Sequence, residues 1–205
     1  MIMTEKQENE LIYERALPQY SDEQLEQIYE TFKNEKRTGN QPLYVQDVTV
    51  GQEIPSILRG PLTIGDMVAW NAAIGPSYKA GRWGFLDLQK GLHGAVKNPV
   101  TGFLQKNSQQ HEDFKLAAGR GMPGPFDNGV MRFAWVAPLI TNWMGDDGFL
   151  KMLDVQVRRP GLYGDTTTYT GKIVDKNEED GLVKIDIVGT NQEGEVNTKG
   201  TAEVI

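Results

Sequence analysis

Cysteine is absent from the 205 residues. Disulfide frameworks, thiolate nucleophiles and cysteine-ligated zinc are excluded with it. Histidine is scarce as well. His93 and His111 are the only two, so a zinc site would have to be completed by carboxylates, and no metal is expected. Positive charge is in the minority: 21 Lys and Arg stand against 28 Asp and Glu, a formal net charge of -7. Such a field repels nucleic-acid backbones and anionic membranes, leaving only a local basic patch to take a phosphate-bearing ligand. No apolar run reaches membrane-spanning length, and the opening MIMTEKQENE lacks the basic-then-apolar pattern of a signal peptide. The expectation is a cytoplasmic protein with no membrane or nucleic-acid partner. What is present suits one domain with an appendage, long enough to bury a real core.

Residues 1–42 are rich in Glu, Gln and Lys and read as an N-terminal helical arm. In SDEQLEQIYETFKNEKRTG, Ser21 caps with Gln24, while Leu25, Ile28, Tyr29 and Phe32 share a stripe and Gly39 offers a stop. Residues 43–205 read as the domain proper. LYVQDVTV and IPSILRG are strand-like around the turn at Gly51. In GPLTIGDMVAWNAAIG, Thr63 and Asp66 form a capping box for a helix that should stop at Gly75. Residues 76–110 read as an inserted excursion with little regular structure, of the kind that shapes a site. VMRFAWVAPLITNWMG predicts a buried helix over 129–144, with Pro138 as a kink. Four strand patterns follow, KMLDVQVRR, DTTTYTGKIVDKN, GLVKIDIVGT and EVNTKGTAEVI, with Leu153, Val155 and Val157 on one face of the first. Period-two patterning after a central helix predicts an α+β domain whose antiparallel sheet lays one face on that helix. An edge strand would favour pairing with a second subunit.

His111, in KNSQQHED, is the best general acid or base, because imidazole is the side chain that titrates closest to neutrality. A loop-bracing role is the alternative. Asp113 would share a face with it in an extended stretch, but in a helix would cap the FKLAA turn, which is the expected role. Gly129 precedes the long helix, and its N–H, with those of Val130 and Met131, falls among the unpaired donors of a first turn that can stabilise an oxyanion. On the residues alone, Asp127 and Asn128 read first as a simple helix cap. GRGMPGPFDNG lacks the Lys-Ser or Lys-Thr end of a phosphate-binding loop. In the excursion, Arg82, Lys90 and Lys97 are placed to meet phosphates, Trp83 and Phe85 to wall an apolar pocket, and His93 reads as structural or solvated.

LTIGDMVAWNAAIG, HEDFKLAAGRGMPGPFDNG and LDVQVRRPGLYGDTTTYTGKIV, in that order, resemble the MaoC-like dehydratase or (R)-specific enoyl-CoA hydratase family of the hotdog fold. They correspond to its first-helix motif, its His-x-Asp loop ending in Gly-Pro and Gly, and its strand pair with a Pro…Gly-Asp turn. The resemblance spans about 43–205. NPVTG, FDNG and TNWMGDDGFL are similar to a subgroup of acyl dehydratases from acyl-CoA and aromatic or steroid breakdown. It implies an antiparallel sheet wrapped around the 129–144 helix, and a homodimer or higher homo-oligomer, or a heteromer, with sites at the subunit interface. It also implies reversible hydration at C2=C3 of a 2-enoyl-CoA, with CoA entering as substrate and no cofactor besides. His111 matches the family histidine. Five residues earlier, where the family carries a catalytic Asp, this chain has Lys106, and Ser108 and Gln109 replace Asn-Pro. The missing acid must then come from elsewhere, Asp127 first and Asp113 second. Gly129 would hold the thioester oxygen, with Asn128 and Val130 beside it and Arg82, Trp83, Phe85 and Lys97 contacting the substrate. Two other readings stay open: a non-catalytic acyl-CoA-binding or partner subunit, and an acyl-CoA thioesterase.

Overall fold

The computed structural model describes residues 13–74, 81–90 and 94–205; the stop expected at Gly75 and the whole of His93 lie outside them. Its helices are α1 (Asp22–Lys33), α2 (Ile64–Ile74), α3 (Gly81–Gln89), α4 (Phe114–Ala118) and α5 (Met131–Met144). Its strands are β1 (Glu53–Arg59), β2 (Ala95–Lys97), β3 (Leu104–Lys106), β4 (Leu150–Val157), β5 (Thr167–Asn177), β6 (Leu182–Asn191) and β7 (Val196–Val204). The chain forms two compact units. One takes its described residues from 13–18, 62–128 and 162–164, the other from 19–61, 129–161 and 165–205.

The second unit is built on a five-stranded antiparallel sheet in the order β1-β5-β6-β7-β4. On β5, buried Thr167, Tyr169, Gly171 and Ile173 alternate with exposed Thr168, Thr170, Lys172 and Val174. That is the period-two pattern of a sheet with one dry face. Val136, Leu139, Ile140 and Trp143 of α5 fall on one helical stripe and join Ile54, Ile57, Tyr169, Ile173, Ile185 and Ile187 in the core. Each such side chain contributes roughly 1.5–3 kcal/mol by leaving water. Gly189 on β6 is required by this packing, since a Cβ there would stand 2.6 Å from Cε1 of Tyr169. α1 carries the expected Ser21–Gln24 capping box, but of its stripe only Ile28 is buried, while Tyr29 and Phe32 stay exposed.

The α+β class and antiparallel sheet are as expected; the wrapped sheet is not. β1 and β4 end the strand order and pair with one neighbour each, so the sheet stays open. α5 presents a single buried stripe to it and leaves Phe133, Ala134 and Thr141 exposed on its other side. A helix with one apolar stripe is satisfied by one covering face, and nothing forces the strands to close round it. As β4 is an edge strand, Val155 alone of its expected trio is buried, with Leu153 half-buried and Val157 exposed.

Two further expectations are corrected. LYVQDVTV forms only a 3-10 turn at Val45–Asp47, and Val45 and Val48 serve the core without a strand. The 76–110 excursion is more regular than its composition indicates, containing α3 and the β2–β3 hairpin. Asn98 closes that hairpin: its Oδ1 accepts from Val100 N at 2.8 Å and Thr101 N at 3.0 Å, and its Nδ2 donates to Gln105 at 2.7 Å. Gly102, at a φ of 69°, supplies the left-handed step.

Candidate functional site in the first unit

The site residues of the first unit are set by its short elements. β3 runs directly into a 3-10 turn, Asn107–His111, which delivers His111 at its last position. Asp113 then caps α4, its Oδ1 accepting from Lys115 N at 2.8 Å and Leu116 N at 3.0 Å. The cap expected from the sequence is therefore present. The glycine-rich loop returns under this turn and is braced at its far end: Phe126 bridges to Leu162, and Tyr163 N donates to Pro125 O at 2.8 Å. Ala117, Met122 and Leu162 form a small core beneath it, with Tyr13, Leu17 and Phe126 packed against them.

On that brace sits the histidine. Its Nδ1 lies 2.8 Å from the carbonyl oxygen of Phe126, and the two rings meet edge-on with centroids 4.6 Å apart. A carbonyl only accepts, so Nδ1 carries the proton and Nε2 of the neutral ring carries the lone pair. Among the described residues no hydrogen-bond partner reaches Nε2.

A second polar chain converges on the same loop. Asn71, 6% exposed on the buried face of α2 beside Met67, donates from Nδ2 to Oε1 of Glu112 at 2.6 Å. Asn128 Nδ2 in turn lies 3.5 Å from Asn71 Oδ1. Neither Asn71 nor Glu112 stands out in the sequence reading. The available signal was a lone amide in the apolar run MVAWNAAI, since a buried amide requires a partner.

Asp127 is 3% exposed, while Asn128 is half-buried. The N-cap position of α5 is Val130, whose own side chain makes no cap bond. Asn128 points its amide to Asn71. In the second unit, Gly129 immediately precedes that cap and accepts from Arg132 N at 3.2 Å, and Val130 is exposed. Lys106 is buried at the end of β3, in the position where the resemblance calls for an acid.

Asn98 of the excursion donates to Asp113 Oδ2 at 3.4 Å, but Arg82, Trp83, Phe85 and Lys97 make no such contact with this cluster among the described residues. On α3, which packs against β3, Trp83 is 68% exposed with the Arg82 guanidinium 5.8 Å from its ring centroid, and Phe85 is exposed too. Lys97 is exposed on β2. Among the described residues no three Asp, Glu or His side chains gather as a metal site, and no helix is long and apolar enough to cross a membrane.

No family model matches the sequence. A stretch of 85 residues is 28% identical to the 3-oxo-4,17-pregnadiene-20-carboxyl-CoA hydratase beta subunit of Mycobacterium tuberculosis, covering 42% of this chain. The match spans 64% of that relative, just under two thirds of its length. Among solved structures, a MaoC-like dehydratase superposes with a TM-score of 0.60 at 19% identity, over 85% of this chain and 44% of that one. R-Hydratase PhaJ1 from Pseudomonas aeruginosa gives 0.57 at 18%, over 80% and 84%. The ChsH1-ChsH2 complex from Mycobacterium tuberculosis gives 0.54 at 21%, over 77% and 97%. The chain thus shares its fold with a MaoC-like dehydratase and an R-hydratase.

Proposed function

We propose that this protein is an acyl dehydratase of the enoyl-CoA hydratase type, acting at C2=C3 of an acyl-CoA thioester. The observation that carries the proposal is the tautomer of His111, set by the carbonyl of Phe126 at 2.8 Å. A neutral imidazole with Nδ1 held and Nε2 bearing the lone pair is a general base poised to take a proton from water. The oxygen of that water would add to C3 while electron density moves to the thioester oxygen, for which the Gly129 N–H is the proposed donor. The proton held on Nε2 would then pass to C2, so that one water is consumed and no proton is left over. The surroundings of α3, with Arg82, Trp83 and Phe85, and Lys97 on β2 are proposed to take the CoA and a bulky acyl group. The proposed assembly is an oligomer, and the proposed location the cytoplasm.

Purified protein offered a panel of 2-enoyl-CoA and saturated acyl-CoA thioesters tests this. Hydration, followed as loss of the enoyl-thioester absorbance, is the expected result. Release of free CoA in its place would make the protein a thioesterase.

A second reading has its own support. Lys106 is a buried cation where an acid would be needed, and two of the similar proteins are a beta subunit and a two-component complex. A partner subunit would bind acyl-CoA without turnover alone and gain turnover only with a second chain.

A further inference from the structure

We infer, resting on the hydratase proposal above, that Arg132 is the positioning residue that fixes the Gly129 N–H where the thioester oxygen gathers charge. Arg132 lies in the first turn of α5 and is fully buried. It reaches Gly129 through its main chain and the sheet through its side chain. Its N–H donates to Gly129 O at 3.2 Å, so the residue that carries the proposed oxyanion donor is tied to Arg132 itself. Its guanidinium donates to Asn197 O at 3.2 Å, Thr198 Oγ1 at 2.7 Å and Arg159 O at 3.1 Å. All of these residues belong to the second unit.

The anchor is itself tied down. Asn197 O also accepts from Arg158 N at 2.9 Å and Arg159 N at 3.2 Å, which pins the chain just after β4. Asn197 Nδ2 donates to Thr167 Oγ1 on β5 at 2.8 Å, and Thr198 Oγ1 donates to Asn197 Oδ1 at 2.9 Å. The Thr198 hydroxyl therefore works in both directions, accepting from Arg132 and donating to Asn197. Gly129 rests against the same region, since a Cβ there would stand 3.6 Å from Val157 Cγ2 on β4. One network thus joins β5, β7 and the end of β4 to the start of α5.

Helix stability gives no reason for this residue. A cation in the first turn stands at the positive end of the helix dipole, where acids are favoured, and α5 has no acid there. Burying a guanidinium is also costly. What it supplies is a planar fork of fixed directions, which neither an apolar side chain nor a lysine offers. An oxyanion donor lowers the barrier only if it is held in place before the charge develops, and a displacement of about 1 Å costs on the order of 100-fold in rate. Arg132 provides that hold.

The test uses whichever 2-enoyl-CoA the wild-type protein hydrates, with turnover read per folded molecule below every melting midpoint. R132K is expected to lower kcat by about 10- to 100-fold with KM nearly unchanged, because the donor moves while the binding contacts remain. T198V removes only the hydroxyl that Arg132 reaches and should lose about 3- to 10-fold, while T198S should stay within about two-fold of wild type. Hydrogen exchange reads the positioning without substrate. The position-132 amide, bonded to Gly129 O, should exchange at least about ten-fold faster in R132K, beyond any acceleration that the β6 amides share. Should R132K not fold, T198V against T198S decides. Wild-type kcat in R132K, a loss that falls wholly on KM, equal losses in T198V and T198S, or exchange at position 132 that rises only with β6 overturns the inference. Wild-type protein that hydrates no 2-enoyl-CoA overturns the hydratase proposal, and the assignment falls with it. Wild-type turnover with an unaffected R132K overturns the Arg132 assignment alone.

Discussion

The imidazole of His111 donates its Nδ1–H to the main-chain carbonyl of Phe126 at 2.8 Å and rests edge-on against the ring of the same residue, centroids 4.6 Å apart. Substitution to Asn provides a direct check, because its amide nitrogen can replace Nδ1 while nothing replaces Nε2. H111N is expected to melt close to the wild type yet to lose about 100- to 10,000-fold in turnover. A variant that unfolds, or one that still turns over, would show that the histidine only braces the loop.

Asp113 makes a different kind of bond, to the first free amides of α4. D113A should cost about 1 kcal/mol of unfolding free energy, whereas D113N should cost far less, since Asn caps as well as Asp. Urea denaturation of the two variants measures the difference. Equal losses would mean that the charge, and not the cap, matters.

Glu35 carries the clearest pH dependence. Its Oε2 accepts from Arg59 at 2.6 Å and its Oε1 from Asn142 at 2.9 Å. Burial pushes the carboxyl up, but the Arg59 hydrogen bond and charge, the Asn142 amide and the nearby Arg37 outweigh it and hold the group below its ordinary value of 4.5. The unfolded chain therefore binds the proton more readily than the folded one. The stabilisation is complete above 4.5 and is lost as pH falls from there through the folded value. E35Q should be less stable than wild type at neutral pH by about 1–2 kcal/mol. Melting curves should converge as the solution is acidified below that point; a gap that stays constant with pH would sink the idea.

Arg132, fully buried, donates to Asn197 O at 3.2 Å, Thr198 Oγ1 at 2.7 Å and Arg159 O at 3.1 Å. It ties the first turn of α5 to β7. R132M fills the space but leaves those acceptors short, an expected loss of about 2–4 kcal/mol. R132K should not recover it, because a single ammonium cannot serve the fork of directions. Chemical denaturation reads both, and full stability of R132K would refute the account.

The sequence by itself determined what depends on near neighbours. Period-two alternation in GLVKIDIVGT and DTTTYTGKIV is enough for β6 and β5, the Ser21–Gln24 box starts α1, and Asp113 reaches amides two and three residues on. Such signals are local because the bonds that produce them close within one turn or one strand. His111 was legible too, as an imidazole in a polar stretch, though its tautomer was not. Only the tertiary structure decided the rest. Glu112 meets Asn71 across 41 residues, and Asn128 meets Asn71 across 57. No periodicity encodes those separations. The same holds for the open sheet, since strand pattern fixes which side chains face inward but not whether β1 and β4 curl toward each other. LYVQDVTV has strand-like residues, yet it forms only a turn because β1 occupies the place beside β5 and Val45 and Val48 reach the core without pairing. Local preference proposes an element; the partner that satisfies its backbone and covers its apolar side settles whether it forms.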